Sequence, residues 1–240
     1  KAESLFASLI KKPELGAMAG VILLTVFFAF TADSSMFSLS GFMNFMTPAS
    51  QLGILAIGAA LLMIGGEFDL SIGSMVAFAG LFFGVCVVTW QLPLEVAIPA
   101  TFLFAAAVGS INGTIVIRSG LPSFIVTLAF LFILRGLSLV GLKAATGGST
   151  QMRGIREEAE NNWLYQVFSG EAFPGLFIWL AEKGWIDTFK SGLPKVQGIP
   201  VEIIWFVILT LVATYVLRRT PAGNWIFAAG GDKNAASNSG

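Results

Sequence analysis

Six stretches of this chain, Leu15–Thr31, Phe42–Ile64, Ile72–Trp90, Val96–Ile117, Leu121–Leu142 and Val201–Leu217, are free of Asp, Glu, Lys and Arg for most of their length. Each approaches the roughly 20 residues that a helix needs to cross the hydrocarbon core of a bilayer, with the first and last near the short limit. The expected fold is therefore all-α, a polytopic transmembrane helix bundle of about six spans. Composition points the same way: 55% of residues are hydrophobic, 12% are charged, and the mean hydropathy is +0.81. Ordinary soluble domains carry about a quarter charged residues. Pro48, inside the second run, lacks an N–H and clashes with the preceding turn, so it should kink that helix or end a short preceding piece.

Several function classes fall away. The net charge is zero, and no basic patch is interleaved with aromatics, so nucleic acid is not an expected partner. The chain has no histidine and one cysteine, Cys86, which removes Ser-His-Asp and Cys-His nucleophiles, the usual zinc sites and any internal disulfide. Cys86 lies in an apolar run and reads as a small buried apolar residue. No cofactor is implied, and the chain does not read as an enzyme.

Lysine and arginine in the short connections give a direction. Lys11 and Lys12 precede the first run, Arg118 separates the fourth and fifth, and Arg218-Arg219 follow the sixth. Six crossings put these on one face, expected to be cytoplasmic, with the N-terminus and residue 240 on that side. The connections Ala32–Gly41 and Gln91–Glu95 carry neither residue type. The segment Lys143–Pro200, assigned outside, does carry basic residues, but long translocated loops obey the rule poorly. Lys1 is not a methionine, and Ser239-Gly240 follow an ordered-looking polar stretch, so both ends read as cut and the first run as a retained span. Three Gly-x-x-x-Gly pairs, Gly16/Gly20, Gly80/Gly84 and Gly109/Gly113, offer bare surfaces for close helix packing.

Between the second and third runs lies Gly65-Gly66-Glu67-Phe68-Asp69-Leu70-Ser71-Ile72-Gly73-Ser74, a glycine-rich break with two carboxylates. One reading is helix capping, because Asp69 and Ser71 precede an apolar run whose first N–H groups need acceptors. The other is a polar cavity, because irregular backbone at membrane depth persists mainly where protein or water satisfies it. The two are compatible. Arg135, inside the fifth run, should snorkel or find a partner, or else belong to a translocation path.

The outer segment 143–200 contains the mixed-charge run Arg153–Glu160 and the short apolar stretch Ala172–Ala181. With Trp163, Trp179 and Trp185 near it, that stretch reads as interfacial. The segment could receive a soluble partner or be a decorative insertion. After Arg218-Arg219-Thr220-Pro221, Gly230-Gly231 should break the chain, Asp232 can cap, and Lys233–Ser237 could form a short helix. On physics alone this is a polar connector.

Three stretches together resemble the permease subunits of bacterial ATP-binding-cassette importers for monosaccharides, of the ribose and xylose type. They are Gly66–Ser74; Asn112-Gly113 through Gly120–Leu128 to Arg135-Gly136; and Thr220–Gly223 through Gly230 to Gly240. Glu67 stands where many members have glycine, and Ser123 where many have a second proline. The resemblance implies a transmembrane permease domain over 1–217, including the external loop 143–200, and a cytoplasmic coupling segment over 218–240. In that segment Gly231, Asn234, Ala235, Ala236, Ser239 and Gly240 would seat against the ATPase subunit. Members usually continue through further spans, so the chain resembles the N-terminal part of such a permease. Implied partners are that ATPase, a periplasmic sugar-binding protein, a second permease copy forming a homodimer or pair, and membrane lipid, with the protein in the inner membrane. Candidates for the translocation path are Glu67, Asp69, Ser71, Asn112 and Arg135. No Gly-x-x-x-x-Gly-Lys-Ser/Thr loop is present, so nucleotide hydrolysis belongs to another polypeptide. Two other readings stay open: a secondary transporter with an ion site on Glu67 or Asp69, and an intramembrane enzyme using those two acids.

Overall fold

The apolar runs become helices because hydrocarbon offers backbone groups no partner except one another. The computed structural model describes residues 13–231. Residues as far as Phe45 and those from Met46 onward form two compact units. In the first, helix α1 (Pro13–Thr31) is followed by a single tight turn, Ser34–Phe37, and by the start of α2 (Leu39–Ile64). Asp33 caps the turn by accepting the Ser35 N–H at 2.8 Å. That bond and a second one from the Ser35 side chain hold its carboxyl below the usual value.

The second unit contains the rest of α2, α3 (Ile72–Gly84) with a π-helical turn Val85–Thr89 at its end, α4 (Leu94–Ser119) and α5 (Ser123–Ala145). An irregular segment follows, with α6 (Ile155–Ala159), α7 (Trp163–Ser169), β1 (Glu171–Ala172), α8 (Pro174–Glu182) and β2 (Ile199–Pro200). The chain then enters α9 (Val201–Arg219) and α10 (Pro221–Gly231). Among the described residues five helical segments are long and apolar enough to cross a membrane: Leu39–Ile64, Ile72–Thr89, Leu94–Ser119, Ser123–Ala145 and Val201–Arg219. Leu15–Thr31 is a shorter apolar helix. The polytopic helical bundle expected from the sequence is thus observed. Pro48 does not end a helix, because α2 runs through it.

The bundle has two dissimilar ends. At one, the segment after α5 docks onto the end of α3 and the start of α4. Cys86, Val87, Leu94, Ala97 and Ala159 are buried together there, with Phe82, Phe83, Leu164 and Tyr165 against them. Cys86 is fully buried, as expected. Asn162 Nδ2 donates to Glu95 Oε1 at 2.9 Å. Trp205 Nε1, in the second turn of α9, donates to the Val167 carbonyl at 2.8 Å, and its indole stacks on Phe168 at 5.8 Å. The two short strands pair antiparallel, Glu171 opposite Pro200 and Ala172 opposite Ile199, and deliver the chain into α9. The apolar stretch expected at 172–181 is largely α8, and Trp179 meets Trp185 edge to face at 5.5 Å. The other end holds the glycine-rich break, the turn between α4 and α5, and α10.

Close helix approaches do not fall where the Gly-x-x-x-Gly pairs suggested. Among the described residues nothing lies within 4 Å of a Cβ placed at Gly16, Gly20, Gly80, Gly109 or Gly113. Of the six, only Gly84 is closely covered, by Met152 and Ile155. Packing instead uses single glycines: Gly53 of α2 receives the Phe206 ring of α9, and Gly141 of α5 receives Leu81 of α3. A Cβ at Gly53 would land on that ring. Gly53→Ala is therefore expected to destabilise the protein by about 1–3 kcal/mol through overpacking. In the same helix Gly58 faces open space, and Gly58→Ala is expected to be neutral or to stabilise by about 0.5–1 kcal/mol. Thermal unfolding of the two variants in detergent checks the contrast.

Candidate functional site

The break is an unwound strip of backbone whose polar groups lack the regular partners that helical hydrogen bonding gives. Gly65 and Gly66 close α2 through bonds to Leu61 and Met63 carbonyls, and Glu67 N–H reaches back to Leu62. Gly66 sits at φ +81°, a conformation that glycine adopts without steric cost. The chain then runs without regular structure through Glu67, Phe68 and Asp69 until α3 begins at Ile72.

Helix α5 supplies the missing acceptors. Ser123 Oγ accepts the Phe68 N–H at 3.0 Å, and Thr127 Oγ1 accepts the Leu70 N–H at 3.1 Å while donating to the Ser123 carbonyl at 2.8 Å. The local sequence places both hydroxyls. Gly120, at φ +67°, ends α4 in the left-handed conformation typical after a helix C-terminus, and Pro122 leads into α5. Ser123 and Thr127 then lie four apart on one face, in its first and second turns.

Asp69 fixes the other side of the strip. Its Oδ1 accepts both the N–H of Ser71 at 2.7 Å and its hydroxyl at 2.6 Å. Ser71 is the residue preceding α3, yet its side chain makes no capping bond to the helix: its backbone is already helical, at φ −84° and ψ −9°, and not extended as an N-cap residue usually is. The expected capping is thus carried by Asp69 onto Ser71, next to the positive end of the α3 dipole, where a carboxylate is favourable. Asn112 of α4 donates from Nδ2 to Ser71 Oγ at 3.5 Å.

These groups surround a cavity of about 230 Å³. Glu67, Asp69, Asn112, Ser123 and Thr127 line it beside apolar Leu62, Val116 and Ile117. Among the described residues five polar side chains are buried; Asn112, Ser123 and Thr127 line the cavity, and Ser71 lies behind it, bonded to Asp69 and Asn112. Two helix N-termini, of α3 and α5, open toward the same strip. Such ends attract anionic or strongly dipolar groups. Asn112 lies seven residues before the end of α4, so the polar region extends about 10 Å along that helix from its end.

The structure brings together four of the five residues nominated from sequence, Glu67, Asp69, Ser71 and Asn112. Arg135 is not among them. It lies twelve residues along α5 from Ser123, about 18 Å at 1.5 Å per residue, and is exposed on the helix surface. Ser123 and Thr127 were not nominated. Their sequence signal is a hydroxyl pair four residues apart at the start of a mostly apolar helix.

The break also meets α10. A Cβ at Gly230 would collide with the Ile64 carbonyl oxygen, and one at Gly66 would lie 3.4 Å from the Gly230 Cα. Ile226 of α10 covers Gly65. Helix α10 starts at Pro221, after the extended residue Thr220, and the Gly223 N–H donates to the Thr220 carbonyl at 3.1 Å. Gly230 and Gly231 are the last residues of α10, and a break beyond them falls outside the described residues. Asp232, the expected short helix Lys233–Ser237, and the nominated Asn234, Ala235, Ala236, Ser239 and Gly240 lie outside the described residues.

Fold and site define a multi-pass membrane protein whose buried polar groups gather on an unwound segment between spans, as in membrane transport proteins. The chain belongs to the family described as "Branched-chain amino acid transport system / permease component", whose model matches residues 41–240. It is 28% identical to the xylose transport system permease protein XylH of Haemophilus influenzae, over 93% of this chain and 67% of that protein. It is 30% identical to the ribose import permease protein RbsC of the same organism, over 85% of this chain and 54% of the relative. The corresponding Escherichia coli RbsC is 28% identical over 88% and 56%. The chain therefore spans about two thirds of the xylose permease and just over half of the ribose permeases. No solved structure matches it.

Thr127→Val keeps the shape of the side chain but removes the acceptor of the Leu70 N–H. We expect a loss of about 1–3 kcal/mol from the orphaned amide, against a smaller loss for Thr127→Ser, read by unfolding in detergent.

Proposed function

We propose that this chain forms membrane-spanning permease sequence of an ATP-binding-cassette importer that moves a monosaccharide, pentose or hexose, across the bacterial inner membrane. Family membership supports the permease class, and the ribose and xylose relatives support the sugar. The observation that carries the reading for this chain is the backbone contact of Gly230 with Ile64 and Gly66. It joins the helix leading into residues 231–240 to the unwound segment that lines the polar cavity with Asn112.

In this reading a separate ATPase subunit binds the coupling segment 218–240, with Gly231, Asn234, Ala235, Ala236, Ser239 and Gly240 at the contact. A periplasmic sugar-binding protein delivers substrate to the platform within 143–200, and a second permease copy completes the pathway. The break end and residue 240 then face the cytoplasm, consistent with Arg118, Arg218 and Arg219 at that end. Closure of the ATPases shifts α10. Because no side chain separates Gly230 from the end of α2, the shift reaches Glu67–Ser71 directly, as one element with two arrangements.

In proteoliposomes holding the permease, its ATPase and its binding protein, we expect pentose uptake to stop when ATP is withdrawn and to survive collapse of proton and sodium gradients. The reverse result would favour the ion-coupled alternative with Glu67 and Asp69 at the ion site. Gly230→Val is expected to retain the ATPase partner but to lower sugar moved per ATP by on the order of tenfold, because overpacking of about 1–3 kcal/mol in one of two states shifts their ratio by that factor or more. Paired transport and phosphate-release measurements check it.

A further inference from the structure

The amide of Asn112 carries a commitment that the fold leaves unfulfilled. Its residue is 7% exposed, and its orientation is set by Ser71. The Ser71 hydroxyl donates to Asp69 Oδ1 at 2.6 Å, so Ser71 Oγ can only accept, and Asn112 must turn Nδ2 toward it. Asn112 Oδ1 is left without a hydrogen-bond partner among the described residues. A buried acceptor in that state costs about 1–3 kcal/mol. Asn112 is one of the residues that line the 230 Å³ cavity. The remaining wall is of two kinds. Leu62, Val116 and Ile117 offer an apolar face, and the carboxylates of Glu67 and Asp69 offer acceptors.

We propose that this cavity is a subsite for one monosaccharide-sized polyhydroxylated ligand, in which Asn112 Oδ1 accepts a ligand hydroxyl and sets part of the specificity. The chemistry follows from the wall. A sugar ring has a C–H face that suits Leu62, Val116 and Ile117, and hydroxyl donors that suit an amide oxygen and carboxylates. The inference rests on the permease reading and extends it: selectivity is then not left to the external binding protein alone, because the conduit tests one hydroxyl near the α10 end of the bundle.

The test uses the complete transporter in proteoliposomes, wild type and Asn112→Leu, with D-ribose, D-xylose and their monodeoxy analogues. In the wild type at least one analogue should fall about 3- to 10-fold in kcat/KM, the worth of one neutral hydrogen bond. In Asn112→Leu that same discrimination should shrink to within about twofold, since the group that reads the hydroxyl is gone. A purely structural role for Asn112 would slow parent and analogue alike. An unchanged ratio therefore overturns the subsite. Should Asn112→Leu fail to assemble, Val116→Cys in a Cys86→Ser background gives an independent reading, because Val116 lines the cavity and is half-buried. Saturating ribose or xylose should protect the introduced thiol from alkylation, and lack of protection by either sugar overturns the assignment. A wild-type complex that imports neither pentose is a different failure, sinking the permease reading and this assignment with it.

Discussion

The structure turns on how a strip of backbone without helical bonds survives inside an apolar bundle. An unpaired amide there costs as much as a lost hydrogen bond or more, so the strip is possible only where side chains are aimed at it. Ser123 and Thr127 take two amides, and Asp69 takes a third together with the Ser71 hydroxyl. This explains why the interior is inverted relative to a soluble protein: buried polar side chains converge at the break, while Phe102, Leu103 and Ile117 are largely exposed. Lipid tolerates the second, and only the break requires the first.

Glycine shapes the strip differently at each position. Gly66 supplies a left-handed turn, and Gly230 supplies the absence of a side chain that lets α10 touch the end of α2. The contact is backbone on backbone. It therefore has no rotamer with which to absorb a displacement, whereas Gly84 faces the flexible Met152 side chain at the opposite end. A movement of α10 must be followed by the break or must separate from it.

The spans were legible because their signal is local. Hydropathy and the cost of charge placed five membrane-length helices close to their observed limits, with α1 as a shorter sixth apolar helix. Glu67, Asp69 and Ser71 could be nominated because charge and glycine at membrane depth are expensive wherever the chain folds. Tertiary facts were less legible. Thr127 looks like any hydroxyl in an apolar helix until the break lies beside it. The Gly-x-x-x-Gly pairs record only that helix surfaces are bare, and in this fold Gly80, Gly109 and Gly113 meet nothing within 4 Å among the described residues. Arg135 drew attention by its cost, yet position along α5 keeps it from the site. On physics alone α10 reads as a connector, because it is short and its small residues carry little periodic signal, although Thr220-Pro221 is a sound helix start; the resemblance is what marks 218–240 as a coupling segment.

The two ends of the bundle differ in how they can respond to force. One is held by apolar packing around Cys86 and Val87 and by the indole of Trp205 tied to the Val167 carbonyl, interactions that lose area or a buried bond with any displacement. The other is held by a few hydrogen bonds to hydroxyls and by contacts across glycines, where a neighbouring geometry can offer equivalent partners. Segments with few buried apolar contacts open at lower free energy than packed cores. The packed end, which includes the start of α9 through Trp205, therefore resists displacement more than the break does.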